Sequence, residues 1–232
     1  MAGLVELSIL FGLILVIAHY VSQRIKLKHD PNRMKIISFT GGIFITYMIL
    51  HMLPQLYQGE FFMTRMAILS ALIGFALFHT LEKYIYQHES GKQLRKDLKK
   101  LHIVFFFIYH FLIGLVLINI TQVDIINGIL LFIPILLFTS LSVVSMKEIH
   151  MILTTRKIVR VFLSLSTLFG LLLGILIDMH VFLYNMLFGF VVGSLLYIII
   201  VESLPKEREG NPLYFILGLV FYTIIISFTW FV

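Results

Sequence analysis

Residues 42–59 read GIFITYMILHMLPQLYQG, and residues 193–210 read GSLLYIIIVESLPKEREG. Both fit one frame, Gly-x8-(His/Glu)-x-Leu-Pro-x4-Gly. At a constant offset of 151, Gly42, His51, Leu53, Pro54 and Gly59 recur as Gly193, Glu202, Leu204, Pro205 and Gly210. Five matches at one offset, with an ionisable residue in the same slot of each, point to an internal repeat rather than to chance. Both copies lie at the end of an apolar run, so the repeat is one of helices.

The rest of the chain says which solvent those helices meet. Of the 232 residues, 59% are hydrophobic and only 13% charged, whereas an ordinary soluble domain is about 25% charged. A soluble core cannot hide that much apolar surface. A membrane-crossing helix takes roughly 20 apolar residues. Apolar runs broken by charge or turn residues give eight spans, at about 3–21, 36–53, 62–82, 101–120, 125–146, 158–177, 182–203 and 212–231. The first has no basic residues before it, so it reads as a retained helix rather than a signal peptide. The fold class is therefore an all-α integral membrane protein, a single transmembrane domain over 1–232.

Loop charge sets the expected orientation. Sixteen of the eighteen Lys and Arg residues fall between spans 1 and 2, 3 and 4, 5 and 6, or 7 and 8, Arg160 lies on the same side in the first turn of span 6, and only Arg65 lies opposite. By the positive-inside rule those loops are cytoplasmic and both termini are extracytoplasmic, in a plasma or inner membrane. The formal charge of +6 is then a topology signal. The run 91–100, GKQLRKDLKK, reads as a solvated cytoplasmic loop attracted to anionic headgroups, and nucleic acid is not an expected partner. In this orientation span 2 runs outward and span 7 inward. A repeat read in opposite directions is an inverted repeat, the pattern of secondary transporters. It groups the spans as 3+2+3, with 1–3 and 6–8 flanking 4 and 5. His51 follows Lys35 by 16 residues, about 24 Å of helix, which sets it near the outer surface and Glu202 near the inner one.

These residues resemble the ZIP family of divalent-metal transporters. Gly41, Gly42, Phe44, His51, Leu53 and Pro54 are similar to the family's second helix, with Gln55 where Glu is usual. Gly193, Tyr197, Val201, Glu202, Leu204 and Pro205 resemble its seventh, and the stretch from Gly74 to Lys83 resembles its third. The resemblance implies eight helices with both termini outside, and zinc or a related divalent cation as cargo. It also exposes a departure. Tyr109 and Ile113 stand where helix 4 of the family has its His and Glu, with His110 and Gly114 between and after them. On helix 5 only Pro134 is kept, and Leu131, Phe132 and Leu136 occupy ligand positions. Leu, Phe and Ile offer no donor to a metal, so the two-metal site is not expected here.

The remaining polar residues are candidates because ionisable groups at membrane depth are costly and usually functional. His110, nine residues into span 4, reads as a packed polar link or as a ligand or proton carrier. His79 and Glu82 share a helix face near the cytoplasmic end. Asp178 sits in the turn after span 6, and His19 and Asn185 are ambiguous. Pro134 should kink span 5. The candidate metal residues are thus His110, His51, Glu202, His79, Glu82 and Asp178, a sparse ladder across the membrane that holds at most a weakly bound divalent cation such as zinc. No His-Glu-x-x-His, Gly-x-Ser-x-Gly or Gly-rich phosphate loop occurs, and zero Cys removes thiolate chemistry, so no enzyme is expected. Two functions stay open: a ZIP-like permease with an atypical site, and a non-transporting relative with a binding or regulatory role. The expected partners are the lipid bilayer, a metal ion or small solute and, as an alternative to a monomer, a second copy in a homodimer.

Overall fold

The computed structural model describes residues 2–22, 32–145, 157–203 and 210–231. Among them every long element is helical: α1 Ala2–Ser22, α2 Asn32–Tyr47, α3 Phe61–His88, α4 Gly91–Val123, α5 Ile125–Ser145, α6 Lys157–Leu176, α7 Val181–Ile198 and α8 Pro212–Thr229. Seven are long and apolar enough to cross a membrane when the turns that prolong α2 and α7 are counted, and α5 carries a shorter apolar stretch, Ile125–Ser140. The helix starts are chemically marked. Asn211 accepts a hydrogen bond from the Tyr214 N–H ahead of Pro212 at the start of α8. Asp124 serves the one-residue break between α4 and α5, its carboxylate accepting from the Ile126 N–H at 2.9 Å.

Two boundaries differ from the sequence reading. The run 91–100 is not a loop: it is the first three turns of α4, and α3 extends to His88. Only Glu89 and Ser90 connect them, followed by Gly91 at φ +55°, a conformation that suits glycine. Lys, Arg, Gln and Leu are all good helix formers, so the helix runs on where hydropathy falls. The α3–α4 hairpin thus extends beyond its apolar span, with Lys100 paired to Asp97 at 3.1 Å.

Most of α2, α4 and α7 is buried, whereas α1, α3, α6 and α8 leave most of their surface open. The open surface is apolar: Leu10, Ile17, Leu69, Leu72, Ile73, Leu217, Phe221 and Ile224 all face outward. Contiguous apolar surface of this kind is what a lipid phase accepts and water does not. Inside, Phe11 stacks on Phe132 at 4.3 Å, and Phe44, Tyr109, Ile113, Leu131 and Phe138 complete a closed core.

The offset of 151 read in the sequence reappears in the backbone. Met48–Met52 and Ile199–Ser203, which are related by it, are both π turns continuing α2 and α7. These are the segments that hold His51 and Glu202. The helix crossings recur as well. A Cβ at Gly42 would collide with the Phe215 carbonyl, and one at Gly218 with that of Phe39. Likewise a Cβ at Gly193 would meet the Ala71 carbonyl, and one at Gly74 that of Phe190. Phe39 and Phe190 are again 151 apart, while Ala71 and Phe215, like Gly74 and Gly218, are 144 apart. So α2 crosses α8 as α7 crosses α3, glycine against backbone, at matched positions. The π turn after α7 also packs against α2, and the one after α2 against α7.

Candidate cation site

The interior polar groups gather in three separate places. The deepest is on α4. There His110, 1% exposed, points its Nδ1 at the Phe106 carbonyl one turn earlier, 3.0 Å away. The opposite nitrogen, Nε2, lies 3.4 Å from the Thr139 hydroxyl on α5. A second imidazole faces it. His19 of α1, 3% exposed, lies with its ring centre 5.4 Å from that of His110 and its plane only 8° away. The backbone of Leu163 on α6 lies beside the His19 ring. Phe106 lies against both rings, at 3.8 Å from His110 and 4.3 Å from His19, and Tyr109 closes another side at 4.1 Å.

The second place is the π turn after α2. His51 is 9% exposed. Its Nε2 accepts from the Gln55 amide at 3.0 Å, and its ring stacks on Tyr47. Asp124, in the break between α4 and α5, acts electrostatically on this imidazole. Tyr47 meets Tyr222 edge to face at 6.2 Å, and the buried Tyr47 hydroxyl has no hydrogen-bond partner among the described residues. Tyr222 has a defined role. Its hydroxyl donates to the Leu130 carbonyl at 2.8 Å. Leu130 is four residues before Pro134, which lies inside α5 and has no N–H to offer it. Tyr222 therefore supplies the hydrogen bond that Pro134 removes.

The third place is the α3–α7 seam. There the Tyr197 hydroxyl donates to Glu82 at 2.6 Å, while His79 is exposed on α3 and touches Tyr197 by its ring edge.

Of the six candidate metal residues, then, the fold brings together only His79 and Glu82, through Tyr197. His110 and His51 stand in separate clusters, and Asp178 is exposed in the connection between α6 and α7. Glu202 lies in the second π turn, and its side chain is outside the described residues. Among the described residues no three His, Asp or Glu side chains converge as a metal would require. Tyr109, Ile113, Leu131 and Phe132 are buried in the apolar core, and Leu136 packs against it.

Sequence reasoning did not join His19 to His110, since 91 residues separate them and neither belongs to a motif. Nor did it single out Tyr222, although Pro134 signalled that a carbonyl one turn earlier would need a donor. The sequence matches no known family model and none of the curated proteins it was compared with.

Proposed function

We propose that this chain is a ZIP-like membrane permease for a metal cation, built as an inverted repeat in a 3+2+3 arrangement and carrying an atypical site. Divalent zinc is the cargo that the resemblance implies. One observation carries the reading: the duplicated frame, with its matched π turns at His51 and Glu202 and its matched glycine crossings. Inverted repeats around a central helix pair are the architecture of alternating access, and π turns concentrate at functional sites. In this reading both termini are extracytoplasmic, the α3–α4 hairpin is cytoplasmic, and His110 is the mid-membrane station between His51 outside and Glu202 inside.

A second reading, a non-transporting relative with a binding role, is favoured by the packed centre. Ile113, Leu131 and Phe132 offer a passing ion no donor, and Phe11 seals the space against them. Uptake into vesicles decides between the two. Purified protein in liposomes with an entrapped zinc indicator is expected to admit zinc faster than protein-free vesicles, and His110→Ala is expected to lower the rate. Zinc entry no faster than in empty vesicles, with correctly inserted protein, supports the non-transporting reading.

A further inference from the structure

The first three turns of α4 carry a surface that the permease reading does not use. From Leu101 onward α4 is long enough by itself to cross a hydrocarbon core of about 30 Å. Residues 91–100 therefore stand beyond it, as a helix rising about 15 Å. At about 100° per residue, Lys92, Arg95, Lys96, Lys99 and Lys100 fall within about 140° of the helix circumference, and Leu94, Leu98, Leu101 and Phe105 lie opposite. The apolar side is turned to the bundle: Leu98 is buried, and Phe105 stacks on Phe78 of α3 at 3.9 Å. The basic side is turned outward, with Lys92, Arg95, Lys96 and Lys100 exposed.

This placement works against the helix. Cations in the first turns oppose the macrodipole, and Ser90 at the N-cap gives no side-chain hydrogen bond. Lys92 and Lys96, Arg95 and Lys99, and Lys96 and Lys100 are like-charge pairs at i,i+4, each repulsive. The one acid of the segment, Asp97, lies at the edge of the face and already accepts from Gln93 at 2.5 Å and Lys100 at 3.1 Å. Lys92, Arg95 and Lys96 form no ion pair among the described residues. Orientation in a membrane asks for positive charge on one side, not for five cations on one helix face, and a solvated face is ordinarily mixed in sign. A local rule broken without internal compensation marks a functional surface.

Geometry and charge select the partner. The cations are strung along about 12 Å of the axis of a helix that continues a membrane span, so the surface of that membrane meets only the end nearest Lys100. A partner that meets all five lies alongside the helix. The chain's other connections on that side, 23–35, 146–156 and 204–211, hold Asp30, Glu148, Glu207 and Glu209 against nine Lys and Arg, and a second copy brings the same positive face. We propose that this face of α4 docks an acidic helical segment of another protein, with carboxylates three and four residues apart, as basic clusters recognise acidic motifs. The docking is independent of the permease reading.

The probe is a fluorescent alanine-based helix with glutamates along one face, set against a peptide of the same composition with the glutamates spread round the helix. Each is titrated into full-length protein in phosphatidylcholine nanodiscs and followed by anisotropy. The one-faced peptide is expected to bind at least tenfold more tightly than the spread one. The triple variant Lys92→Gln, Arg95→Gln, Lys96→Gln changes exposed side chains alone and is expected to weaken it at least tenfold. Lys35→Gln, on α2, is expected to leave it within twofold. Nanodiscs that also contain phosphatidylglycerol offer the cations an anionic surface instead, and binding is expected to stay within threefold. Equal affinity for the two peptides, an unchanged triple variant, or binding lost to the anionic headgroups would each overturn the assignment.

Discussion

Tyr222→Phe removes one oxygen from the protein, and its cost can be worked from a single helix turn. In wild type the Leu130 carbonyl has lost its usual donor to Pro134 and takes the Tyr222 hydroxyl at 2.8 Å instead. The ring is fully buried and Phe fills the same volume, so cavity terms are small. What remains is a carbonyl without its donor, in surroundings without water. Hydrogen bonds between membrane helices average about 0.6 kcal/mol and reach about 1.7, and a buried group left unpaired costs about 1–3 kcal/mol. Tyr222→Phe is therefore expected to destabilise by about 1–2 kcal/mol. The same argument fixes the partner substitution. Pro134→Ala restores an N–H four residues after Leu130, so in that background the Tyr222→Phe cost should fall below about 0.5 kcal/mol. The assay is reversible unfolding in mixed detergent micelles, read as a double-mutant cycle on the four proteins. Equal costs in the two backgrounds, within about 0.3 kcal/mol, would refute the claim that Tyr222 replaces the hydrogen bond lost at Pro134.

Gly42→Ala and Gly193→Ala each drive a Cβ into the backbone of the facing helix. Each is expected to cost about 1–3 kcal/mol in the same unfolding assay, against under about 0.5 for Gly3→Ala, which meets nothing within 4 Å. The chain has no native cysteine, so a cysteine placed at Gln93 should stay unlabelled by an impermeant thiol reagent in intact cells. Rapid labelling would reverse the orientation. Protein soaked in zinc or cadmium is expected to show at most one weak central ion by anomalous scattering, lost in His110→Ala and largely kept in Tyr109→Phe. Two strong peaks bound by α4 and α5 would contradict the departure read at Ile113 and Leu131.

The helical, membrane-suited character of the chain was legible because composition alone decides it: apolar runs of about 20 residues have few other fates. The hairpin of α3 and α4 was not, because hydropathy marks where a helix enters lipid, not where it ends. Lys92, Arg95, Lys96 and Lys99 favour helix about as well as Leu does, and the break falls at Glu89 and Ser90, just ahead of Gly91 at the start of α4. The candidate residues divide on similar lines. His110 stood out because an imidazole amid FFFIYHFLIGLVL is costly wherever it points. Its partner did not, because the pairing with His19 depends on how α1 lies across α4, and no local pattern encodes that. Glu82 is legible as a face-mate of His79 near the end of its span, but its role as the acceptor for Tyr197 depends on how α7 lies against α3.

If the chain is a permease, the distribution of its polar groups constrains the cargo. A hydrated divalent ion sheds water only where other oxygens or nitrogens replace it, and it needs them at every step. Here nitrogen donors occur at the π turn with His51 and Gln55 and again at the imidazole pair, while elsewhere buried hydroxyls such as Thr46, Thr121 and Ser194 are scattered among Phe and Ile side chains. Glu82 is engaged by Tyr197 on the α3–α7 seam, and Asp124 already accepts from the Ile126 N–H at the head of α5. The described carboxylates that could offset a double charge therefore stand away from the centre, at the seam and at the helix break. A cargo of low charge, or one whose arrival reopens the packing of Phe11 on Phe132, fits this arrangement. A divalent cargo such as zinc fits it only where the centre opens in this way, because two imidazoles supply donors without supplying charge.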